Sequence, residues 1–105
     1  MRVKMQNMIS NRGNAILNQF EIYIDGVKYF QSYNTIIAKI EKGHKITLDT
    51  NALDYSRTTS KYLYLFLNMS RKEILADKDI KYENLNEWQA GGAEKSCLYY
   101  IVELS

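Results

Sequence analysis

Ala15–Tyr33 reads AILNQFEIYIDGVKYFQSY, and the reading of this stretch decides the fold. Two runs rich in β-branched and aromatic residues, Ala15 to Ile24 and Val27 to Tyr33, flank the dipeptide Asp25-Gly26. That dipeptide suits a two-residue type I′ turn, in which both central residues need positive φ. Phe20, Ile22 and Ile24 alternate with Gln19, Glu21 and Tyr23. A strand places successive side chains on opposite faces, so Phe20, Ile22 and Ile24 are predicted to share one buried face of a β-hairpin over residues 15–33.

Upstream, residues 1–8 are compatible with a short first strand, ended by the polar, glycine-containing break Ser10 to Asn14. Downstream, Asn34 to Lys42 is ambiguous, because Ile36, Ile37 and Ile40 stand at helical spacing while Thr-Ile-Ile is also good strand material. Gly43 ends the segment under either reading, and Ile46-Thr47-Leu48 reads as a short strand.

From Asp54 the pattern changes. Ser56, Thr58 and Thr59 are N-cap candidates, and Tyr62, Leu65, Phe66 and Met69 follow at i, i+3, i+4 and i+7. A helix beginning near Thr58 is predicted, with those four as its core stripe. Lys61 to Leu67 is nearly all apolar or aromatic and competes as a strand, and the caps decide for helix. Ser70-Arg71-Lys72-Glu73 has capping-box spacing and opens a second short helix, to about Lys78. Ile80 to Leu85 is a further candidate strand, Gly91-Gly92 marks a loop, and Cys97 to Leu104 reads as a final strand. The predicted class is α+β: a small antiparallel sheet with an N-terminal hairpin, two short helices on one face and a C-terminal strand.

Composition narrows the function classes. The chain has 105 residues, of which 46% are hydrophobic and 25% charged, with a net charge of +2, so a single domain over residues 1–105 is expected. Residues 1–50 hold seven Lys/Arg against four Asp/Glu, and residues 51–105 hold seven against eight, so neither half is a strong pole. The densest basic stretch, Lys39, Lys42, His44 and Lys45, reads as a solvated loop rather than the stripe of a phosphate binder. No signal-peptide run or long apolar span is visible, and the lone Cys97 fits a reducing compartment; the expected location is the cytoplasm.

One His and one Cys do not make a metal site by themselves, and the glycines at 13, 26, 43, 91 and 92 match no phosphate-cradling loop. Asp77 with Asp79, or Glu83 with Glu87, are acidic pairs of a kind common on protein surfaces. The expectation is a protein without cofactor, metal or catalytic residues. The nine tyrosines supply large amphipathic area at low rotamer cost, which suits binding surfaces. Tyr23 and Tyr64 lie opposite the apparent core faces of their elements and, with Trp88, Tyr99 and Tyr100, are the candidate partner-binding residues.

Asn14 to Phe20, Tyr29 to Tyr33 (Tyr-Phe-Gln-Ser-Tyr), Asp54 to Thr59 (Asp-Tyr-Ser-Arg-Thr-Thr), Phe66-Leu67 and Asn84-Leu85-Asn86 stand in an order that resembles small proteins of unknown function encoded by phages and mobile elements of Gram-positive bacteria. The resemblance spans about residues 11–86, with Leu53 where Trp is expected, and residues 87–105 extend past it. It implies a counter-defence role: binding and inhibiting a host defence protein or ribonucleoprotein, as an anti-CRISPR inhibitor of an RNA-guided nuclease does. It assigns no catalytic or binding residue. Gln31, Asp54, Tyr55, Ser56 and Thr59 read equally as structural, with Asp54 and Ser56 setting a turn ahead of the helix. A small nucleic-acid-binding accessory protein is the alternative.

Overall fold

A computed structural model describes residues 3–86. Six strands form one sheet in chain order: β1 (Val3–Ile9), β2 (Ala15–Ile24), β3 (Val27–Ser32), β4 (Thr35–Glu41), β5 (Lys45–Asp49) and β6 (Lys81–Glu83). The first five pair antiparallel as a meander, and β6 pairs parallel to β5. Parallel pairing requires a long crossover, and it is supplied by a 3-10 turn (Ala52–Asp54), helix α1 (Arg57–Leu67) and helix α2 (Arg71–Ala76).

The expectation of a small antiparallel sheet is therefore corrected. The sheet is mixed and dominant, with strands making up 45% and helices 24% of the described residues. The missed pairing is the parallel one: β6 has only three residues, and the contact that defines it is made across the helical crossover. The predicted final strand, Cys97 to Leu104, lies outside the described residues.

The hairpin turns at Asp25 and Gly26, with φ of 49° and 87°, and Ile24 faces Val27 across it. Ile22 and Ile24 are buried and Phe20 is half-buried, yet this face points away from the helices. Register shows why: Ile22 pairs with Tyr29, whereas Glu21 pairs with Phe30, so Ile22 and Phe30 stand on opposite faces. Ile22, Ile24 and Ile36 form one cluster, packed by Val3, Phe20, Tyr29 and Leu85. Phe30, Ile37, Ala38 and Leu48 form the other, under Leu63, Phe66, Leu67 and Ile74 of the helices.

The ambiguous segment after Asn34 is strand β4, and the sheet is what settles it. Phe30 pairs with Ala38 and Gln31 with Ile36, leaving Ile37 as the extra residue of a bulge. Ile36 and Ile37 enter opposite clusters, as successive strand residues do, and the bulge then lets Ile37 and its neighbour Ala38 both join the helix-side cluster. What resembled helical spacing is a strand buried on both faces. The basic stretch falls partly in the next turn, where Lys42, His44 and Lys45 are exposed, while Lys39 pairs with Glu41 at 3.0 Å.

α1 starts one residue earlier than the sequence suggests, capped by Ser56, whose Oγ accepts from the Thr59 amide. Its buried residues are Thr59, Leu63, Phe66 and Leu67; of the predicted stripe Tyr62, Leu65, Phe66 and Met69, only Phe66 is among them. Two contacts fix this rotation. The Phe66 ring stacks on Phe30 with centroids 5.6 Å apart, and the Thr59 hydroxyl lies 3.0 Å from that of Ser32 in a buried pair. Tyr62 and Met69 are left half-buried, and Leu65 is 51% exposed. Asn68 ends the helix in the left-handed region, with φ of 55°. The Ser70–Glu73 capping box opens α2 as its spacing predicts.

Candidate functional site

Rotation of α1 onto Phe30 leaves a second side of the helix facing outward. Arg57, Ser60, Lys61, Tyr64, Leu65 and Asn68 recur at three- and four-residue intervals and form that side. Together with Leu53, Tyr55, Met69 and the first turn of α2 they line an open groove of about 820 Å³, which Asn11 of the β1–β2 turn closes at one edge. The size falls in the range of ligand-binding clefts.

Its walls are mixed in a particular way. Leu53, Leu65, Met69 and the two tyrosines supply apolar surface, and Arg57, Lys61 and Arg71 supply cations. The acid in the lining, Glu73, is engaged in the α2 cap, where its carboxylate accepts from the Ser70 amide at 3.1 Å. Arg71 donates to the Leu53 carbonyl at 3.1 Å and fastens α2 to the 3-10 turn. The Lys61 ammonium stands 5.4 Å from the Tyr62 ring centroid. Neither ion pair among the described residues involves a groove cation.

A carboxylate outside the groove lining holds one of its tyrosines, Tyr55. Asp49, at the end of β5, is 3% exposed. Its Oδ2 accepts from the Tyr55 hydroxyl at 3.0 Å and the Asn51 amide at 3.2 Å, and its Oδ1 accepts from the Leu85 amide at 3.0 Å and Asn86 Nδ2 at 3.2 Å. Asn86 also donates to the Ile36 carbonyl and accepts from its amide. One buried carboxylate thus ties the start of the helical crossover to the segment after β6. Burial, and then the Asp49 charge and hydrogen bond, push the Tyr55 phenol up to about 12. The turn ahead of α1 is fastened by Asp49 and Ser56, where the sequence pointed to Asp54 and Ser56.

Of the candidate binding residues, Tyr64 lies in the groove, half-buried. Tyr23 does not; it sits on β2, its hydroxyl donates to Glu21 at 3.2 Å, and the Lys28 ammonium is 5.9 Å from its ring centroid. Burial and the neighbouring Glu21 raise the Tyr23 phenol. Trp88, Tyr99 and Tyr100 lie outside the described residues, as do Glu87 and Cys97. Asp77 caps α2 and its carboxylate accepts from the Asp79 amide, so that acidic pair shapes a turn.

The groove cations Arg57, Lys61 and Arg71 were not singled out from the sequence as binding residues, and Leu65 was assigned to the core. The available signal was the apolar excess of α1, whose run YLYLFL has more apolar positions than one helix side holds. Several residues of the motifs quoted above turn inward: Gln19, Gln31, Ser32 and Thr59 are all buried. Gln31 Nε2 donates to the Tyr33 carbonyl at 2.7 Å, while Oε1 of Gln19 and of Gln31 has no partner among the described residues.

Among the described residues no three His, Cys, Asp or Glu side chains gather where they would hold a metal ion, and no helix is long and apolar enough to cross a membrane. In chemical terms the groove offers apolar contact, fixed positive charge and hydrogen-bond donors. A family model, Family of unknown function (DUF8033), matches residues 3–83. No curated protein and no solved structure matches the chain.

Proposed function

The chain belongs to DUF8033, a family of unknown function, and from that starting point we propose that it is a non-enzymatic binding protein acting stoichiometrically on a protein or ribonucleoprotein target. The observation that carries this reading is the outward side of α1, where exposed apolar surface and cations free of ion pairs among the described residues share one groove. Exposed apolar surface rimmed by polar groups is a mark of interaction sites. A protein of this size has room for a standard interface of about 800 Å² per partner, in which a few anchors carry most of the energy.

The finer reading rests on the motif resemblance. The protein acts as a phage or mobile-element counter-defence factor in the bacterial cytoplasm, and its target is a host defence complex such as a CRISPR RNA-guided nuclease. Trp88, Tyr99 and Tyr100 are further contact candidates, since a segment beyond the shared region is where a new partner is most easily accommodated.

Titrating such a nuclease with the protein is expected to give inhibition that saturates at a fixed molar ratio. Inhibition at far lower ratios that grows with time reveals turnover and overturns the reading. The second reading, a nucleic-acid-binding accessory protein, is favoured by Arg57, Lys61 and Arg71 lying in one groove. Salt separates the two: phosphate binding weakens linearly in log salt, and a protein interface anchored by apolar contact weakens less.

A further inference from the structure

We infer that the α1–α2 groove is a docking site for an acidic, amphipathic peptide segment of the partner, one that sets carboxylates against Arg57, Lys61 and Arg71 and an aliphatic or aromatic side chain against Leu65 and Met69. The inference rests on the binding reading above and specifies its partner chemistry. Charge complementarity selects the occupant. Three cations line the groove against Glu73, whose carboxylate already serves the α2 cap, so the unpaired charge facing an incoming ligand is positive. A basic or neutral apolar segment would leave these cations facing no countercharge, a penalty that grows as water is excluded.

The apolar part of the lining separates a peptide from a nucleic acid. Single strands bind by laying bases on open ring faces. Here Tyr55 and Tyr64 are half-buried against the helix-side core, and the Tyr55 ring is held by its hydroxyl to Asp49. The most exposed apolar side chain of the lining is aliphatic: Leu65, on α1, is 51% exposed. An aliphatic side chain with flanking cations matches a short amphipathic helix with apolar anchors three and four residues apart and acidic residues beside them, the helix-in-groove recognition mode. Arg57 and Arg71 have the planar fork that takes a carboxylate in two parallel hydrogen bonds.

The test is a selection from a displayed library of random twelve-residue peptides on the full-length protein. The enriched peptides are then made with a fluorescent label, and their anisotropy is read against wild type, the double variant Arg57→Glu/Lys61→Glu and Leu65→Lys, with far-UV circular dichroism on each. All three positions are exposed, and Leu65→Lys reads the same groove independently if the double variant fails to fold. Enrichment of Asp and Glu beside Leu, Ile or Phe is expected, with at least tenfold weaker binding to each folded variant.

Peptides without acidic excess, or binding equally to the variants, overturn the inference. So does a labelled twelve-nucleotide single strand that binds wild type more tightly than the peptides and loses that binding in the double variant. Stoichiometric inhibition of the target that survives in the double variant overturns the groove inference and leaves the binding function standing. Acidic peptides bound in the groove, with time-dependent substoichiometric inhibition of the target, support the groove and overturn the non-enzymatic reading alone.

Discussion

The two sides of α1 both carry large apolar side chains and do opposite things. The inner side, Thr59, Leu63, Phe66 and Leu67, is buried on the sheet; the outer side carries Tyr64 and Leu65 among Arg57, Ser60 and Lys61 and lines a groove. Hydrophobicity alone does not choose between them, since Leu63 and Leu65 are the same residue with opposite fates. Specific partners choose: Phe30 for Phe66, Ser32 for Thr59, and the Asp49–Tyr55 bond that fixes where the helix begins. The lesson is that an over-apolar helix in a small domain carries a second face, and that the cations on that face mark it as a surface.

The comparison breaks most visibly where the inner side meets the sheet. Phe30 is fully buried and stacked on Phe66. Phe30→Ala is expected to cost about 3–5 kcal/mol by chemical denaturation, a large share of the ~5–15 kcal/mol available to such a domain. A loss below about 1 kcal/mol would mean that the ring contact does not hold the helix down.

Next in size is Asp49→Ala, which leaves the Asn51 and Leu85 amides, the Tyr55 hydroxyl and the Asn86 amide without their common acceptor. The expected loss is about 3 kcal/mol, less than the sum over single groups because water reaches some of them. Tyr55 reports on the same contact. Its folded value is raised to about 12 against an ordinary 10, so its contribution to stability is complete below pH 10 and is lost as pH rises through 12. The tyrosinate absorbance of wild type minus Tyr55→Phe should therefore titrate near 12, and move down part of the way in the Asp49→Ala background, where burial still raises it. An unmoved titration would show that Asp49 does not hold the phenol.

A smaller and sharper effect is expected from Thr59→Val, which keeps the shape of the inner side and removes the hydroxyl paired with Ser32. Both groups are almost fully buried, so the Ser32 hydroxyl loses its partner, at a cost of about 1–2 kcal/mol. Wild-type stability in this variant would mean that ring packing alone sets the rotation of α1.

These contacts also mark where the chain could be read in advance and where it could not. The Asp25-Gly26 turn, the break at Ser10 to Asn14 and the Ser70–Glu73 cap are local, and short-range geometry was enough to place them. The rotation of α1 was not legible, because YLYLFL satisfies several stripes and the residues that choose among them, Phe30 and Ser32, are far off in sequence. Strand β4 was ambiguous because it is buried on both faces, so its apolar residues do not alternate with polar ones, and the bulge that sets Ile37 and Ala38 on one side is a property of the pairing with β3. The parallel β6 strand depends on a partner on the other side of the helical crossover. The groove followed the helix: Tyr64 was found from its position opposite a supposed core face, while its cations needed the true rotation to be seen as one surface.

The most direct measurement of the two-sided helix is paired denaturation of Leu63→Ala and Leu65→Ala. Leu63 is fully buried and Leu65 is 51% exposed, and two residues along a helix put them on roughly opposite sides. Leu63→Ala is expected to cost about 2–5 kcal/mol and Leu65→Ala less than about 0.5 kcal/mol, since alanine also keeps the helix propensity. Equal losses, or a larger loss at Leu65, would contradict the rotation of α1 and with it the groove.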